Sequence, residues 1–287
     1  MRFLFFSAPM LLLQYRFMAS LLAMATVINN LTTDQSALLA FKADVIDSRS
    51  VLANNWSISY PICNWVGISC GARHHRVVAL NLSSFSLGGI IPPHLGNLSF
   101  LVSLDISENN FYGHLPNELG KLRRLRLINF AYNELSGSFP SWIGILSRLQ
   151  ILSFHNNSFT DRIPDFLLNL SKLEFLDLME NSLSGSLPND MCSRLPKLEK
   201  LYLGSNDFFG QIPSSLSECT HLQTLWLADN KLIGPLPESI GNLSKLTLLN
   251  LAHNNLQGTL RTTHIFFLYI ECSNFKSQTT TIIFHHL

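Results

Sequence analysis

The chain repeats one pattern of apolar and polar positions. The clearest copy runs from Leu173 to Pro188 and reads LxxLxLxxNxLxGxLP. Successive copies are 24 or 25 residues apart, and a fixed period of this length predicts a solenoid of stacked coils. The lead position of the eight copies is occupied by Val77, Leu101, Leu125, Leu149, Leu173, Leu198, Leu222 and Leu246.

Within each copy, the LxL segment alternates between inward and outward side chains, which is typical of a short β-strand. In the fifth copy, Leu176 and Leu178 are expected to face the core, and Phe175 and Asp177 to face outward. A strand cannot pair within its own coil. We therefore expect it to pair in parallel with the same strand of the next coil, at a spacing of about 4.8 Å.

An asparagine follows the strand in seven of the eight copies, where the chain turns inward. A buried amide needs hydrogen-bond partners, and the backbone of a turn offers them. This column therefore predicts a structural ladder, which the first copy lacks because Phe85 stands there. The column consists of Asn109, Asn133, Asn157, Asn181, Asn206, Asn230 and Asn254.

A glycine and a proline complete the first seven copies, except that Asp161 replaces the glycine of the fourth. Glycine permits a positive φ, and proline, which has no N–H, suits an edge or a turn. The resulting LxGxIPxxLGNLxxL run resembles the plant-type leucine-rich repeat of receptor-like kinases and receptor-like proteins. The resemblance implies an α/β leucine-rich-repeat solenoid, with a parallel β-sheet on the concave face. It also implies short 3-10 or helical and loop segments on the convex face.

The segment before the repeats predicts a helix from Asp34 to about Ser48, capped by Thr33 or Asp34. It resembles the helical N-terminal cap of plant leucine-rich-repeat receptors, which shields the apolar side of the first coil. The resemblance implies a disulfide between Cys63 and Cys70. The residues that carry it are Thr33, Asp34, Ala37, Leu38, Leu39, Phe41, Lys42, Trp56, Cys63, Trp65, Gly67 and Cys70.

Four segments follow from these patterns: a signal peptide over 1–29, the cap over 30–76, eight repeats over 77–260 and an irregular tail over 261–287. The run from Leu21 to Val27 fits an h-region with a cleavage site, and a membrane anchor is the alternative. The tail contains no further copy of the pattern, which suggests a truncated receptor gene. We expect it to leave Leu249, Leu251 and Leu256 exposed unless it folds over them.

Cysteines and glycosylation sequons fit a secreted chain. Cys192 and Cys219 fall on adjacent coils and either pair or are two small buried residues, and Cys272 is left over. A sequon at Asn30 lies close to the expected cleavage site. The other candidate glycosylation sites are Asn55, Asn81, Asn97, Asn156, Asn169 and Asn242.

No motif predicts catalysis, a metal site or a cofactor. The Gly67–Gly71 segment matches G-x-S-x-G, but it lies within the cysteine cap instead of between a strand and a helix. The formal net charge of +1 gives no indication of nucleic-acid binding. We therefore expect a binding protein and not an enzyme, and we expect it to bind its ligand on an exposed surface.

The outward strand positions form the candidate ligand-binding surface. Large rings accumulate there in the second half of the repeats, flanked by charges, as is typical of recognition patches. Ordinary solvent-facing strand residues are the alternative, since strands favour aromatics. The candidate residues are Tyr132, His155, Phe175, Asp177, Met179, Glu180, Lys200, Tyr202, Trp226 and Asp229.

The function that the resemblance implies is extracellular ligand recognition, as in the ectodomain of a receptor-like serine/threonine kinase, at the cell surface or secreted. The implied partner is a peptide, a protein ligand or a co-receptor ectodomain. A soluble inhibitor or decoy similar to polygalacturonase inhibitors is an alternative, and a non-functional truncated receptor fragment is another.

Overall fold

The computed structural model describes residues 33–257 and the strand Tyr269–Glu271. The predicted signal peptide, Asn30, Cys272 and the rest of the tail lie outside the described residues. The cap consists of helix α1 over 33–44, strand β1 (Ile46–Asp47), helix α2 (Val51–Asn55) and a 3-10 turn (Ile62–Asn64). Helix α1 thus ends earlier than the sequence predicts, because residues 46–47 pair with the first coil instead.

Ten strands form the main sheet, in which the repeats pair in parallel and in register. This confirms the predicted parallel sheet. Strand β2 of the cap closes one edge by pairing antiparallel with β3. The strands are β2 (Ile68–Cys70), β3 (Val77–Asn81), β5 (Ser103–Asp105), β7 (Leu127–Asn129), β9 (Ile151–Ser153), β11 (Phe175–Asp177), β13 (Lys200–Tyr202), β15 (Thr224–Trp226), β17 (Leu248–Asn250) and β19 (Tyr269–Glu271).

Further strands at the LxGxIP segments form two other sheets, which we call the flank sheets. The first contains β1, β4 (Leu87–Gly89), β6 (Asn110–Gly113), β8 (Glu134–Gly137) and β10 (Ser158–Phe159). The second contains β12 (Ser184–Gly185), β14 (Asp207–Gln211), β16 (Lys231–Pro235) and β18 (Asn255–Gln257). The two separate at the coil in which Asp161, at φ 72°, replaces the repeat glycine.

Short helices complete the first seven coils on the side opposite the main sheet. The proline of each repeat precedes most of them, since its fixed φ suits the entry to a helical turn. They are Pro93–Asn97, Asn117–Lys121, Ser141–Ile145, Leu167–Asn169, α3 (Met191–Arg194), Ser214–Glu218 and Glu238–Asn242.

The core is the stack of inward leucines, and the asparagine column closes it as predicted. Asn109 Oδ1 accepts a hydrogen bond from the Leu87 N–H at 2.8 Å, and Nδ2 donates to carbonyls of its own and the preceding coil. Each of the other six asparagines makes the same set of bonds. Every coil is therefore bonded to its neighbour through one side-chain amide.

The cap is joined to the first coil by a buried ion pair. Asp34 lies within α1, and its carboxylate accepts hydrogen bonds from the Arg76 guanidinium at 2.6 and 2.8 Å and from the Val77 N–H at 3.0 Å. Asp34 is therefore not the capping residue that the sequence suggests. Trp56 and Trp65 stack with ring centroids 5.5 Å apart and are buried in the core of the cap.

Disulfides join Cys63 to Cys70 in the cap and Cys192 to Cys219 on adjacent coils. At the other end of the solenoid, Leu249, Leu251 and Leu256 are buried. This is the outcome that the sequence allows if the tail folds over them. Strand β19 pairs in parallel with β17, so the segment expected to be irregular contributes a tenth strand to the main sheet.

Candidate functional site

A line of aromatic side chains crosses the outer face of the main sheet, the predicted concave face. The ring centroids of Phe175 and Tyr202 are 5.5 Å apart, and the register of the sheet places Trp226 beside Tyr202. The Trp226 ring lies over Gly204, where a Cβ would come within 2.7 Å of its Cδ1 atom. The three rings are half-buried, so they are less exposed than the sequence predicts, because neighbouring coils cover their edges.

A second group of side chains surrounds His155 on the same face. Its Nδ1 atom lies 3.3 Å from Asp177 Oδ2, and its Nε2 atom lies 3.4 Å from Glu180 Oε1. The ring of Tyr132 packs on the imidazole with centroids 4.8 Å apart. Asn156 Nδ2 donates to the other oxygen of Glu180 at 2.5 Å. The sequence does not show this cluster, because its members come from three different coils.

The Nε2 atom of His155 is buried and lacks a hydrogen-bond partner among the described residues, since its contact with Glu180 is poorly aligned. The imidazole thus lies between two carboxylates with one nitrogen unused. Two carboxylates therefore meet in this cluster, which offers acceptors to a positively charged group of a ligand.

Asp177 is predicted to face the ligand, but the structure leaves its side chain only 12% exposed. Burial raises the pKa of this carboxyl above its usual range, although the Met179 N–H and His155 oppose the shift. The Met179 N–H donates to Asp177 Oδ1 at 3.1 Å, and an asparagine makes the equivalent bond in other coils, as Asn129 does with Ala131. Either an aspartate or an asparagine at this position therefore accepts the backbone hydrogen bond of the turn.

We expect Asp177→Asn to raise or preserve the unfolding temperature at pH 7. The folded chain holds the Asp177 proton more tightly than the unfolded chain, so ionisation of this group lowers stability as pH rises through its folded-state pKa. The Asp177→Asn side chain does not ionise, so the variant avoids this loss of stability. Its stability advantage over the wild type should disappear as pH falls below the folded-state pKa of Asp177. Calorimetry from pH 4 to 8 measures the effect. A loss of several degrees at every pH would show that the charge itself stabilises the coil.

The outer face carries more acidic than basic groups along the predicted site. Glu180 and Asp229 are exposed, as are the more distant Glu108 and, in part, Asp105, whereas Lys200 is the one lysine of the site. Asp229 Oδ1 lies 2.8 Å from His253 Nδ1 of the next coil. Met179 is half-buried beside the rings. The structure therefore brings the predicted residues onto one surface, with rings and carboxylates side by side.

The sequons differ in accessibility. Asn81, Asn97, Asn169 and Asn242 are exposed, whereas Asn55 and Asn156 are half-buried. Asn55 accepts a hydrogen bond from the Val66 N–H. Only the four exposed asparagines are therefore accessible to glycosylation in this structure.

A separate cavity of about 610 Å³ opens where the flank sheets separate, away from the predicted site. Sequence reasoning missed it, although the replacement of glycine by Asp161 marks its coil. Its lining includes Phe139, Arg162 and Phe209. Across the described residues, no group of His, Cys, Asp and Glu side chains could hold a metal ion, and no helix is long and apolar enough to cross a membrane.

Comparison with known families matches the cap and several of the repeats. The leucine rich repeat N-terminal domain matches residues 31–71, and leucine rich repeats match residues 100–122, 147–208 and 221–243. This chain is a leucine-rich-repeat protein. Its predicted resemblance to plant receptor ectodomains is confirmed by the curated and solved relatives below.

Among curated proteins, the LRR receptor-like serine/threonine-protein kinase EFR of Arabidopsis thaliana is 54% identical over 71 residues. That match covers 24% of the leucine-rich-repeat chain and 7% of EFR. The LRR ectodomain of the Arabidopsis thaliana receptor kinase GASSHO1/SCHENGEN3, solved in complex with CASPARIAN STRIP INTEGRITY FACTOR 2, is 30% identical. It superposes with a TM-score of 0.75 and covers 83% of this chain and 30% of that chain.

The plant peptide hormone receptor RGFR1, solved in complex with RGF2, is 38% identical with a TM-score of 0.58. The match covers 60% of the leucine-rich-repeat chain and 28% of that chain. The chain therefore spans a small part of each relative's length. The regions of similarity are ectodomains, which bind ligands and are extracellular in these relatives.

Proposed function

We propose that the chain is an extracellular recognition module that binds a peptide across the outer face of the main sheet, between Tyr132 and Asp229. The observation that carries this proposal is the line of Phe175, Tyr202 and Trp226 beside the His155 cluster. Half-buried rings offer apolar area in fixed positions, which lowers the entropic cost of binding. The disulfides support an oxidising, extracellular compartment.

The charges of this face indicate a basic ligand. Glu180 and Asp229 are open to solvent, and Asp177 and Glu180 approach His155 from two sides. An arginine or lysine of a ligand could pair with these carboxylates, while an apolar or aromatic residue packs on the rings. The resemblance to ectodomains solved with a peptide hormone supports the same class of ligand.

Trp226→Ala should abolish most peptide binding at a small cost in stability. The ring is half-buried over Gly204, so its loss should cost about 1 kcal/mol in the free energy of unfolding. The measurement is selection of a randomised, phage-displayed peptide library on the immobilised chain. Enriched peptides should be basic and aromatic, and should bind the variant at least about tenfold more weakly, as for a central interface aromatic.

Phe209→Ala is the matched control, because Phe209 is an aromatic residue that is 53% exposed in β14 of a flank sheet. It should leave the binding of the same peptides unchanged. The proposal is wrong if the enriched peptides bind Trp226→Ala as well as the wild type, or if Phe209→Ala removes their binding.

A further inference from the structure

A row of basic side chains lies along the edge of the main sheet at which each strand begins. In six successive coils, the residue just before the lead leucine is basic and exposed. The formal net charge of +1 gives no sign of this concentration. The row, which we call the cationic edge, consists of Arg124, Arg148, Lys172, Lys197, His221 and Lys245.

Hydrogen bonds beside this row hold the coils in register. Two residues after each cationic-edge position, the backbone N–H donates to the same position of the preceding coil at 2.7–2.8 Å. Phe100 and Arg76 hold the same position in the two coils before Arg124. The Phe100 ring centroid lies 4.6 Å from Arg76 Cζ and 3.9 Å from Arg124 Cζ, so side chains at this position in adjacent coils can contact one another. The cationic edge is therefore a ladder with steps of about 4.8 Å, and it extends about 24 Å from Arg124 to Lys245.

The fold does not neutralise this charge. Over residues 33–257, no ion pair within 4.0 Å involves Arg148, Lys172, Lys197 or Lys245. Two cations about 4.8 Å apart repel by about 0.9 kcal/mol even in water. Any polar side chain would satisfy an exposed position, so the repeated choice of cations points to an external anion.

The two carboxylates closest in sequence to the cationic edge accept hydrogen bonds from glutamine side chains. Glu174 Oε1 accepts a hydrogen bond from Gln150 Nε2 at 3.0 Å, and Glu199 Oε2 accepts one from Gln223 Nε2 at 3.3 Å. Both glutamates are half-buried, whereas the cations are exposed. These carboxylates reduce the local potential, but they leave the cations free to bind.

We propose that the cationic edge binds a linear anionic polysaccharide, a 1,4-linked uronan with one carboxylate on each ring. Each step of the ladder is close to the length of one pyranose ring, so a carboxylate can stay within reach of each long cationic side chain. An extended acidic peptide presents side chains on one face only every 6.6 Å or so, and a nucleic-acid strand carries a charge about every 3.4 Å. A membrane would need a broad basic surface, whereas this row is one residue wide.

The test uses an oligogalacturonate long enough to span about 24 Å. Arg124, Arg148 and Lys197 have no sequon in the short helix that precedes them, so glycans do not complicate their replacement. We expect the triple Arg124→Glu, Arg148→Glu and Lys197→Glu to bind it at least about tenfold more weakly than the wild type. Binding of the wild type should also weaken as salt rises.

The matched control replaces three exposed cations on or beside the flank sheets, Arg49, Arg162 and Lys231, by glutamate and changes the net charge equally. It should lower binding less than about twofold, since screening limits charges that lie more than about 10 Å away. The fully methyl-esterified oligomer of the same length should not bind. Circular dichroism confirms that both triples are folded.

Equal losses in the two triples, or equal binding of the esterified oligomer, would overturn the proposal. So would tighter binding of phosphatidylserine vesicles or of single-stranded DNA, which would indicate a different anion. Trp226→Ala should leave oligogalacturonate binding unchanged, because Trp226 belongs to the outer face and not to the cationic edge. This inference and the peptide proposal therefore fail independently.

Discussion

Asp34→Ala is expected to destabilise the chain by about 3–5 kcal/mol, because it leaves a buried guanidinium without its counter-charge. The Asp34 carboxylate is fully buried, and Arg76 is 5% exposed. The Arg76 side chain would keep only its 3.3 Å hydrogen bond to Ser99 Oγ, and the Val77 N–H would lose its acceptor. Thermal unfolding should therefore shift down by about 10 °C.

Asp44→Ala is the matched control for this prediction. Asp44 lies on the same helix, but its side chain is 48% exposed and contacts His94 at 3.4 Å. Both substitutions replace an aspartate of the same helix by alanine. The helix dipole contributes at most about 1 kcal/mol to the difference between them, so a larger difference reports the buried pair. Replacing Asp34 and Arg76 together by leucine and methionine should recover much of the loss. Similar losses for Asp34→Ala and Asp44→Ala would contradict the prediction.

Asn109→Ala is expected to cost about 3 kcal/mol, since a single amide satisfies several backbone groups. The Leu87 N–H would lose its acceptor, and the carbonyl groups of Leu82 and Ile106 would lose a donor in a buried region. Water cannot readily replace these bonds, because the amide is surrounded by packed leucines. Urea denaturation followed by circular dichroism measures the loss.

Asn110→Ala provides the comparison, because Asn110 is the next residue and its side chain is exposed. It should cost less than about 0.5 kcal/mol. A small loss in both variants would mean that the asparagine column is dispensable. A large loss in both would mean that strand β6 itself, and not the amide, is sensitive to substitution.

The repeat pattern alone predicted the parallel sheet and the asparagine ladder, and the cap was predicted from the resemblance of the preceding segment to that of plant leucine-rich-repeat receptors. Its success has a physical reason: each coil buries its own leucines against identical neighbours, so local sequence and tertiary contact follow the same period. Cys192 and Cys219 were also suggested by their places in adjacent coils. Only the structure joined them.

Contacts between non-identical positions were not predictable. Asp34 was assigned to a helix cap, yet it binds Arg76, which is 42 residues away. His155 was counted as one outward residue among many, yet Asp177 and Glu180 enclose it. The net charge of the whole chain does not reveal the cationic edge, because its residues come together only when the coils are stacked.

The sequence by itself determined that this protein is a solenoid of eight leucine-rich coils, because leucines repeated every 24 or 25 residues are buried when one coil stacks on the next. The tertiary structure decided which outward positions are accessible, as the half-buried Trp226 and the buried Asp177 show. Exposure depends on the size of the side chains in the neighbouring coils. Because those side chains belong to different coils, the exposure of each residue is decided only when the coils are stacked in register.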